Sequence, residues 1–309
     1  MTVTLDAWRK AGKHYTHRGH EIFYRDEHGS GRKTPLVCVH GFPTASWDWN
    51  LLWPDLLKTF SRVIAPDMIG FGFSAKPRSY PYSIFDQADL FEGLLKRLGV
   101  GRFHMLAHDY GDTVAQELIA RHNERQEKTS PLPLAGEGGR AAPGEGLFIE
   151  SCVLLNGGLF PEVHRARPIQ KLMLTPLGPL LAQLSGEKQF GRSFSAVFGP
   201  KTQPSAAELK DFWALNAHND GATLFHRILR YIPERMANRE RWVGALQKTK
   251  ARLRMINGPA DPVSGAHMAQ RYREVVPNAD VVMLADHIGH YPQVEDAKGT
   301  LKAFLGFHQ

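Results

Sequence analysis

Cysteine is nearly absent: Cys38 and Cys152 are the only two in 309 residues, which excludes a disulfide framework on number alone. Both sit in apolar, β-branched runs, so reduced core thiols in a cytoplasmic protein are expected. Long apolar runs are missing too. The most apolar stretch, Leu172 to Leu184, is broken by Pro176 and Pro179 and falls short of the ~18 residues that suggest a membrane span. The opening residues, MTVTLDAWRKAGKHY, contain no apolar stretch that could serve as a secretory leader. Although the net charge is +7, no Lys/Arg stripe carries it. The densest basic groups, Arg227 to Arg241 and Lys248 to Arg254, alternate with apolar residues in the manner of solvated faces. Neither nucleic acid nor a membrane span is therefore expected.

What is present is an ordinary core-forming balance, 42% hydrophobic against 22% charged, enough for one large core with an elaboration. From residue 35 onward, short apolar runs alternate with helical patterns, the signal of parallel βα units. The spacing predicts a hairpin over 14–26 and strands near 35–40, 61–66, 102–108, 150–155, 251–257 and 279–285. Leu90, Leu94 and Leu98 mark a helix over 85–98 that ends at Gly99, and Val114 and Leu118 mark another over 111–121. The alternation lapses from Gly157 to Arg241, which reads as a helical insertion. The expected organisation is thus a core of residues 1–156 and 241–309 with a helical lid at 157–240. Within the core, residues 126–146 (including SPLPLAGEGGRAAPGEG) have little to bury and are expected to form a disordered surface loop.

Residues 106–112, LAHDYGD, follow an apolar strand and precede an amphipathic helix. A strand, a sharp turn and a helix, with small residues two positions either side of the turn, make a nucleophile elbow. Ala107 and Gly111 are the small pair, and Asp109 occupies the nucleophile position. His40, Gly41, Phe42 and Pro43 follow the strand LVCVH and fall at its carboxyl end, where α/β sheets build their sites. The backbone N–H groups of Phe42 and Tyr110 are the candidate oxyanion donors. Asp67, in DMIGFGFS, is expected to tie a Gly-rich turn. Later come Asp261, in GPADPV after a strand, and His287 and His290 in DHIGHYPQVED. The order nucleophile, acid, histidine suits the fold. His290, which opens the final helical pattern, is favoured over His287.

The set HGFP, DxxGxGxS, HDYGD, GPADPV and GHYPQVED resembles the epoxide hydrolase and haloalkane dehalogenase branch of the α/β-hydrolases. More narrowly, HDYGDTVAQEL, LLNGGLFPEVHR, VFGP, ERWVGAL and DHIGHYPQVED are similar to the group of mesoderm-specific transcript protein and its bacterial relatives, over about residues 30–307. The resemblance implies an α/β-hydrolase fold, mostly parallel and eight-stranded, with flanking helices and an inserted lid. It also implies a triad of Asp109, Asp261 and His290, no metal and no cofactor.

A carboxylate at the elbow changes the chemistry. It is ionised at neutral pH and needs no base for its first attack. Attack on an ester would give a high-energy anhydride, so a saturated carbon bearing a leaving group is the sensible target. The product, an alkyl ester of Asp109, would be hydrolysed by water activated at His290 and oriented through Asp261. An epoxide or similar apolar alkyl electrophile is the expected substrate. Epoxide hydrolases protonate the departing oxygen with two lid tyrosines, and RYIPER resembles the segment that carries the second, which implies Tyr231, the sole tyrosine between Gly157 and Arg241, as the candidate lid acid; Trp213, Trp242 and the lid histidines are other candidate donors. Haloalkane dehalogenation is the alternative, although Phe42 and Tyr110 stand where dehalogenases of this branch carry Asn and Trp to cradle halide. A hydrolase-fold binding protein without turnover is a third reading.

Overall fold

A computed structural model describes residues 3–129 and 146–309. Among them, eight strands form one sheet: β1 (Lys13–His17), β2 (His20–His28), β3 (Leu36–Val39), β4 (Arg62–Pro66), β5 (Arg102–His108), β6 (Phe148–Leu155), β7 (Arg252–Asn257) and β8 (Val281–Met283). Their spatial order is β1-β2-β4-β3-β5-β6-β7-β8. Strand β2 runs antiparallel to both β1 and β4, and all the other pairings are parallel. The predicted strands correspond to these eight within a few residues. β3 is buried at every position, as a parallel strand covered on both faces must be, and this is why LVCV reads as an unbroken apolar run.

From β3 the chain steps outward to β4 and then returns across β3 to β5. The loops leaving β3 and β5 therefore diverge at a topological switch point, which opens a crevice at the carboxyl ends of the strands. Helix Ile84–Arg97 begins at Ser83, whose side chain accepts from the Asp86 N–H, and it is followed by Gly99 at φ 68°. It buries Leu90 and Leu94. Helix Tyr110–Thr129 runs eight residues further than the spacing predicts and takes in residues 126–129, the first four of the expected loop. Of the remainder of that loop, 130–145 lie outside the described residues.

Between β6 and β7 the described residues contain helices and turns and no strand: Pro168–Met173, Gly178–Gln183, Glu187–Ser195, Ala206–Ala217, Phe225–Ile228, Tyr231–Ala237 and Arg239–Lys248. The last of these straddles the expected boundary at 240/241. It packs on helix Tyr110–Thr129, where Glu117 accepts from the Arg241 guanidinium at 2.7 Å and from the Trp242 indole N–H at 2.9 Å. No helix among the described residues is long and apolar enough to cross a membrane.

Candidate active site

Asp109 is the first residue beyond β5 and sits at φ 50°, a left-handed conformation that costs a non-glycine residue free energy and persists only when its surroundings impose it. The turn closes tightly on β3. An added Cβ at Gly111 would lie 2.4 Å from the Val39 carbonyl oxygen, so only glycine fits there. Asp109 Oδ2 accepts from the Phe42 N–H at 3.0 Å, and Oδ1 lies 3.7 Å from His290 Nε2. Tyr110 opens the following helix, so its N–H has no acceptor within that helix. Its ring is buried against Phe71 and Tyr231.

Asp261 and His290 reach this point from the loops after β7 and β8. His290 Nδ1 donates to Asp261 Oδ2 at 2.7 Å. The same oxygen accepts from the Asn156 amide at 3.0 Å and the Ser264 hydroxyl at 2.8 Å, while Oδ1 accepts from the Val263 N–H at 2.7 Å. Four donors leave the carboxylate no other orientation. Burial alone would raise the pKa of Asp261, but the charge and hydrogen bond of His290 lower it on balance. For Asp109 too, burial is outweighed, chiefly by His290, and its pKa falls well below the usual carboxylate range. Burial disfavours the imidazolium of His290, yet Asp261 and Asp109 together hold its pKa well above the ordinary value. His287, its rival in the same segment, pairs with neither carboxylate among the described residues.

Several supporting groups escaped sequence reasoning. His108 is buried with its pKa lowered to about 4, mainly by burial, and its Nε2 meets the His290 carbonyl oxygen at 2.8 Å. Neutral, it donates there and positions the His290 backbone. Glu295 Oε2 accepts from the N–H groups of Gly199 and Gly289, each at 2.8 Å, and Oε1 accepts from that of Tyr291 at 2.9 Å. It thereby ties the histidine loop to the end of the VFGP segment, where His290 N–H donates to the Val197 carbonyl at 3.0 Å. Asp67 accepts from the N–H groups of Ser46 and Phe73 at 2.7 Å, tying its turn.

A cavity of about 350 Å³ opens onto Asp109 and His290. Its walls are mainly apolar, with Phe42, Met173, Phe190, Phe194, Phe225, Leu229 and Val263, and Tyr291 also faces it while its hydroxyl donates to the Phe42 carbonyl at 2.9 Å. Tyr231 is fully buried and is not among the residues lining this cavity. Its phenol pKa is raised, first by burial and then by the Asp109 charge. The Trp242 indole N–H is engaged by Glu117 rather than facing the site. Among the described residues, no group of three or more His, Cys, Asp or Glu is placed to hold a metal ion.

Behind Asp109 lies a second buried layer. Arg235, 1% exposed, donates from Nε and Nη2 to the Thr113 hydroxyl at 3.1 and 2.9 Å. Asp112 is fully buried, with no well-formed hydrogen bond to either carboxyl oxygen among the described residues, and burial pushes its pKa well above the ordinary value. Two glycines make room for this layer. A Cβ at Gly157 would stand 2.0 Å from Asp112 Oδ2 and 2.5 Å from its Cβ, and one at Gly158 would stand 1.9 Å from Arg235 Nη1. Overpacking of this kind typically costs about 1–3 kcal/mol. Gly157→Ala is accordingly expected to lower stability by about that amount in a urea titration, and adding Asp112→Gly should recover part of the loss. Additive losses would show that the two positions do not press on one another.

An eight-stranded, mostly parallel sheet flanked by helices, with a strand, sharp turn and helix at its switch point, defines an α/β-hydrolase. The model of the alpha/beta hydrolase fold matches residues 34–128. The chain is 44% identical over 313 residues to the bovine (Bos taurus) mesoderm-specific transcript homolog protein, covering 99% of this chain and 88% of that one. It is 34% identical over 298 residues to the putative hydrolase LipZ of Mycobacterium tuberculosis, covering 96% of each. Among solved structures, a haloalkane dehalogenase loop variant from Bradyrhizobium elkanii shares the fold with a TM-score of 0.75 at 20% identity, over 96% of this chain and 95% of that one. The chain belongs to the α/β-hydrolases, in the family of the mesoderm-specific transcript protein.

Proposed function

We propose that this hydrolase opens an epoxide or a similar alkyl electrophile through an ester on Asp109. A carboxylate oxygen of Asp109 attacks a saturated carbon, the carbon–oxygen bond of the ring breaks, and the departing alkoxide takes a proton from an acid. His290 then removes a proton from water, and the hydroxide adds to the Asp109 carbonyl carbon. The N–H groups of Phe42 and Tyr110 hold the oxyanion, a contribution worth about 2.7–4 kcal/mol per donor in other enzymes. Collapse of the adduct expels the alcohol oxygen, which takes the proton back from His290; the proton left on the Asp109 carboxyl by the added hydroxide is lost through solvent and restores the acid of ring opening, so that the Asp109 carboxylate is regenerated. Asp261 keeps the imidazole in one tautomer throughout. Residues 157–240 serve as the lid over the core, 1–156 and 241–309.

The observation that carries this reading is the setting of Asp109: an ionised carboxylate bordering an apolar cavity, with one oxygen on the Phe42 N–H and the other facing His290. A panel of epoxides, haloalkanes and aryl esters offered to the purified protein tests it. Turnover of epoxides is expected; halide release alone would make it a dehalogenase, and no turnover of any of them would favour a binding protein.

The acid of ring opening is assigned to Tyr231, the tyrosine of the lid segment whose phenol feels the Asp109 charge and stays protonated. General acid catalysis contributes about a hundredfold to ten-thousandfold. Tyr231→Phe should therefore slow alkylation of Asp109 by such a factor while leaving hydrolysis of a preformed ester unchanged. A variant within about threefold of wild type would remove it from the mechanism.

A further inference from the structure

Five large apolar side chains are the most exposed among the described residues, Leu172, Leu177, Leu180, Leu184 and Met236, at 41 to 71%, with Leu51 and Met283 next at 36%. Four of them fall within residues 172–184, a stretch without a single charged side chain. A patch of this kind on a folded surface marks an interaction site. The chain on either side of the stretch, from Arg167 to Gln170 and again from Ser185 to Val197, supplies walls of the cavity that holds Asp109. The leucines thus stand beside its mouth.

The charge around them is one-sided. Between residues 165 and 192 the charged side chains are Arg165, Arg167, Lys171, Lys188 and Arg192 against Glu187. A recess of about 320 Å³ adjoins the strip and is lined by His164, Arg165, Lys171, Arg235 and Met236, with no carboxylate in its wall. Neither Arg165 nor Lys171 makes an ion pair among the described residues, and Arg235 Nη1 is buried without a hydrogen-bond partner. Glu162, the nearest carboxylate in sequence, is occupied by Arg239 and Arg271 at 2.7 and 3.1 Å.

We propose that this face docks on an anionic lipid surface, with the leucines entering the boundary of the acyl chains and a headgroup phosphate meeting Arg165 and Lys171 at the recess. Apolar area and basic charge are the two signals that together hold a protein reversibly at such an interface. Charge complementarity selects this occupant over a second copy of the chain, because self-association through the strip would bring two sets of basic side chains together. An apolar substrate dissolved in the bilayer would then meet the cavity mouth directly. The docking stands apart from the chemistry proposed at Asp109, and its test does not use activity.

Co-sedimentation with vesicles of phosphatidylcholine alone, and of phosphatidylcholine mixed with phosphatidylglycerol, reads it directly. Binding to the mixed vesicles should be at least about tenfold stronger and should weaken as salt screens the charges. Leu177→Ser/Leu180→Ser/Leu184→Ser, exposed changes that leave the core untouched, should abolish binding to both vesicles. Arg165→Ala/Lys171→Ala should remove the preference for phosphatidylglycerol; circular dichroism and thermal melting check the fold of both variants. The proposal is overturned if wild type stays in the supernatant with both vesicles, if the leucine variant sediments as wild type does, or if phosphatidylglycerol makes no difference. It is likewise overturned if sedimentation velocity finds a wild-type dimer that the leucine variant dissolves, since the strip would then be covered by a second copy.

Discussion

On the proposed route, Asp109→Ala is expected to abolish turnover of whichever substrate of the panel the wild-type protein handles best. Loss of a nucleophile from an assembled triad costs about a millionfold in the best-studied case, so the variant should be inactive within assay limits. The fold should survive. Ala tolerates the left-handed φ of 50° no better than Asp, and the Asp109 carboxylate, whose pKa is held below the usual range, stabilises the folded state. A folded but somewhat less stable protein, measured by thermal melting, should accompany the loss of activity. A variant retaining more than about a hundredth of wild-type turnover would mean that the attack does not come from this carboxylate.

His290→Gln is expected to separate the two halves of the reaction. Alkylation of Asp109 needs no base, whereas release of the ester needs one. The variant should consume about one equivalent of substrate and keep it, so intact-mass spectrometry should find the protein heavier by the mass of the substrate, with the adduct mapping to Asp109. One equivalent consumed with no added mass would overturn the covalent route.

The same coupling sets the pH dependence in wild type. In the resting enzyme His290 faces two carboxylates, Asp261 at 2.7 Å and Asp109 at 3.7 Å, and its pKa stands well above the ordinary value. On the proposed route, esterification neutralises Asp109 and removes one of those charges. The pKa of His290 must then fall, which frees the imidazole to take a proton from water at the step that requires it. Asp109, with its pKa held well below the usual range, stays ionised through mildly acid solution. As pH falls from about 8 to about 5, alkylation should therefore hold its rate while ester hydrolysis slows, and the alkyl-enzyme should accumulate in rapid-quench mass spectra. Loss of both steps in parallel would contradict this account.

How much of the site could be read from the chain depends on the range of the interactions that build it. Ala107 and Gly111 bracket Asp109 because a tight turn against β3 allows nothing larger, and that constraint is local enough to leave a motif. Asp261 and His290 follow strands and keep the chain order of the fold, so their positions could be named, and the structure brings both of them to Asp109. Asn156, Glu295 and His108 could not be singled out. Asn156 reaches Asp261 across 105 residues and Glu295 reaches Gly199 across 96. A hydrogen bond between distant loops imposes no period on the residues beside it. Tyr231, which its sequence neighbourhood places in the expected lid, is not among the residues lining the cavity; which side of a short helix faces inward is settled by packing against Tyr110 and Arg235.

The alternation of apolar runs with helical patterns determined the eight strands, because burial on both faces of a parallel sheet forces unbroken apolar sequence and burial of one helix face forces a spacing of three to four. Composition was enough to exclude a disulfide framework, and among the described residues no helix is long and apolar enough to cross a membrane. Tertiary structure alone decided that Gly157 and Gly158 face Asp112 and Arg235, that the Asp112 carboxyl is fully buried, and that Leu172, Leu177, Leu180 and Leu184 point outward although they form the most apolar stretch of the sequence. Hydropathy measures what a segment would gain by burial, and whether another surface is there to bury it is a property of the assembled fold.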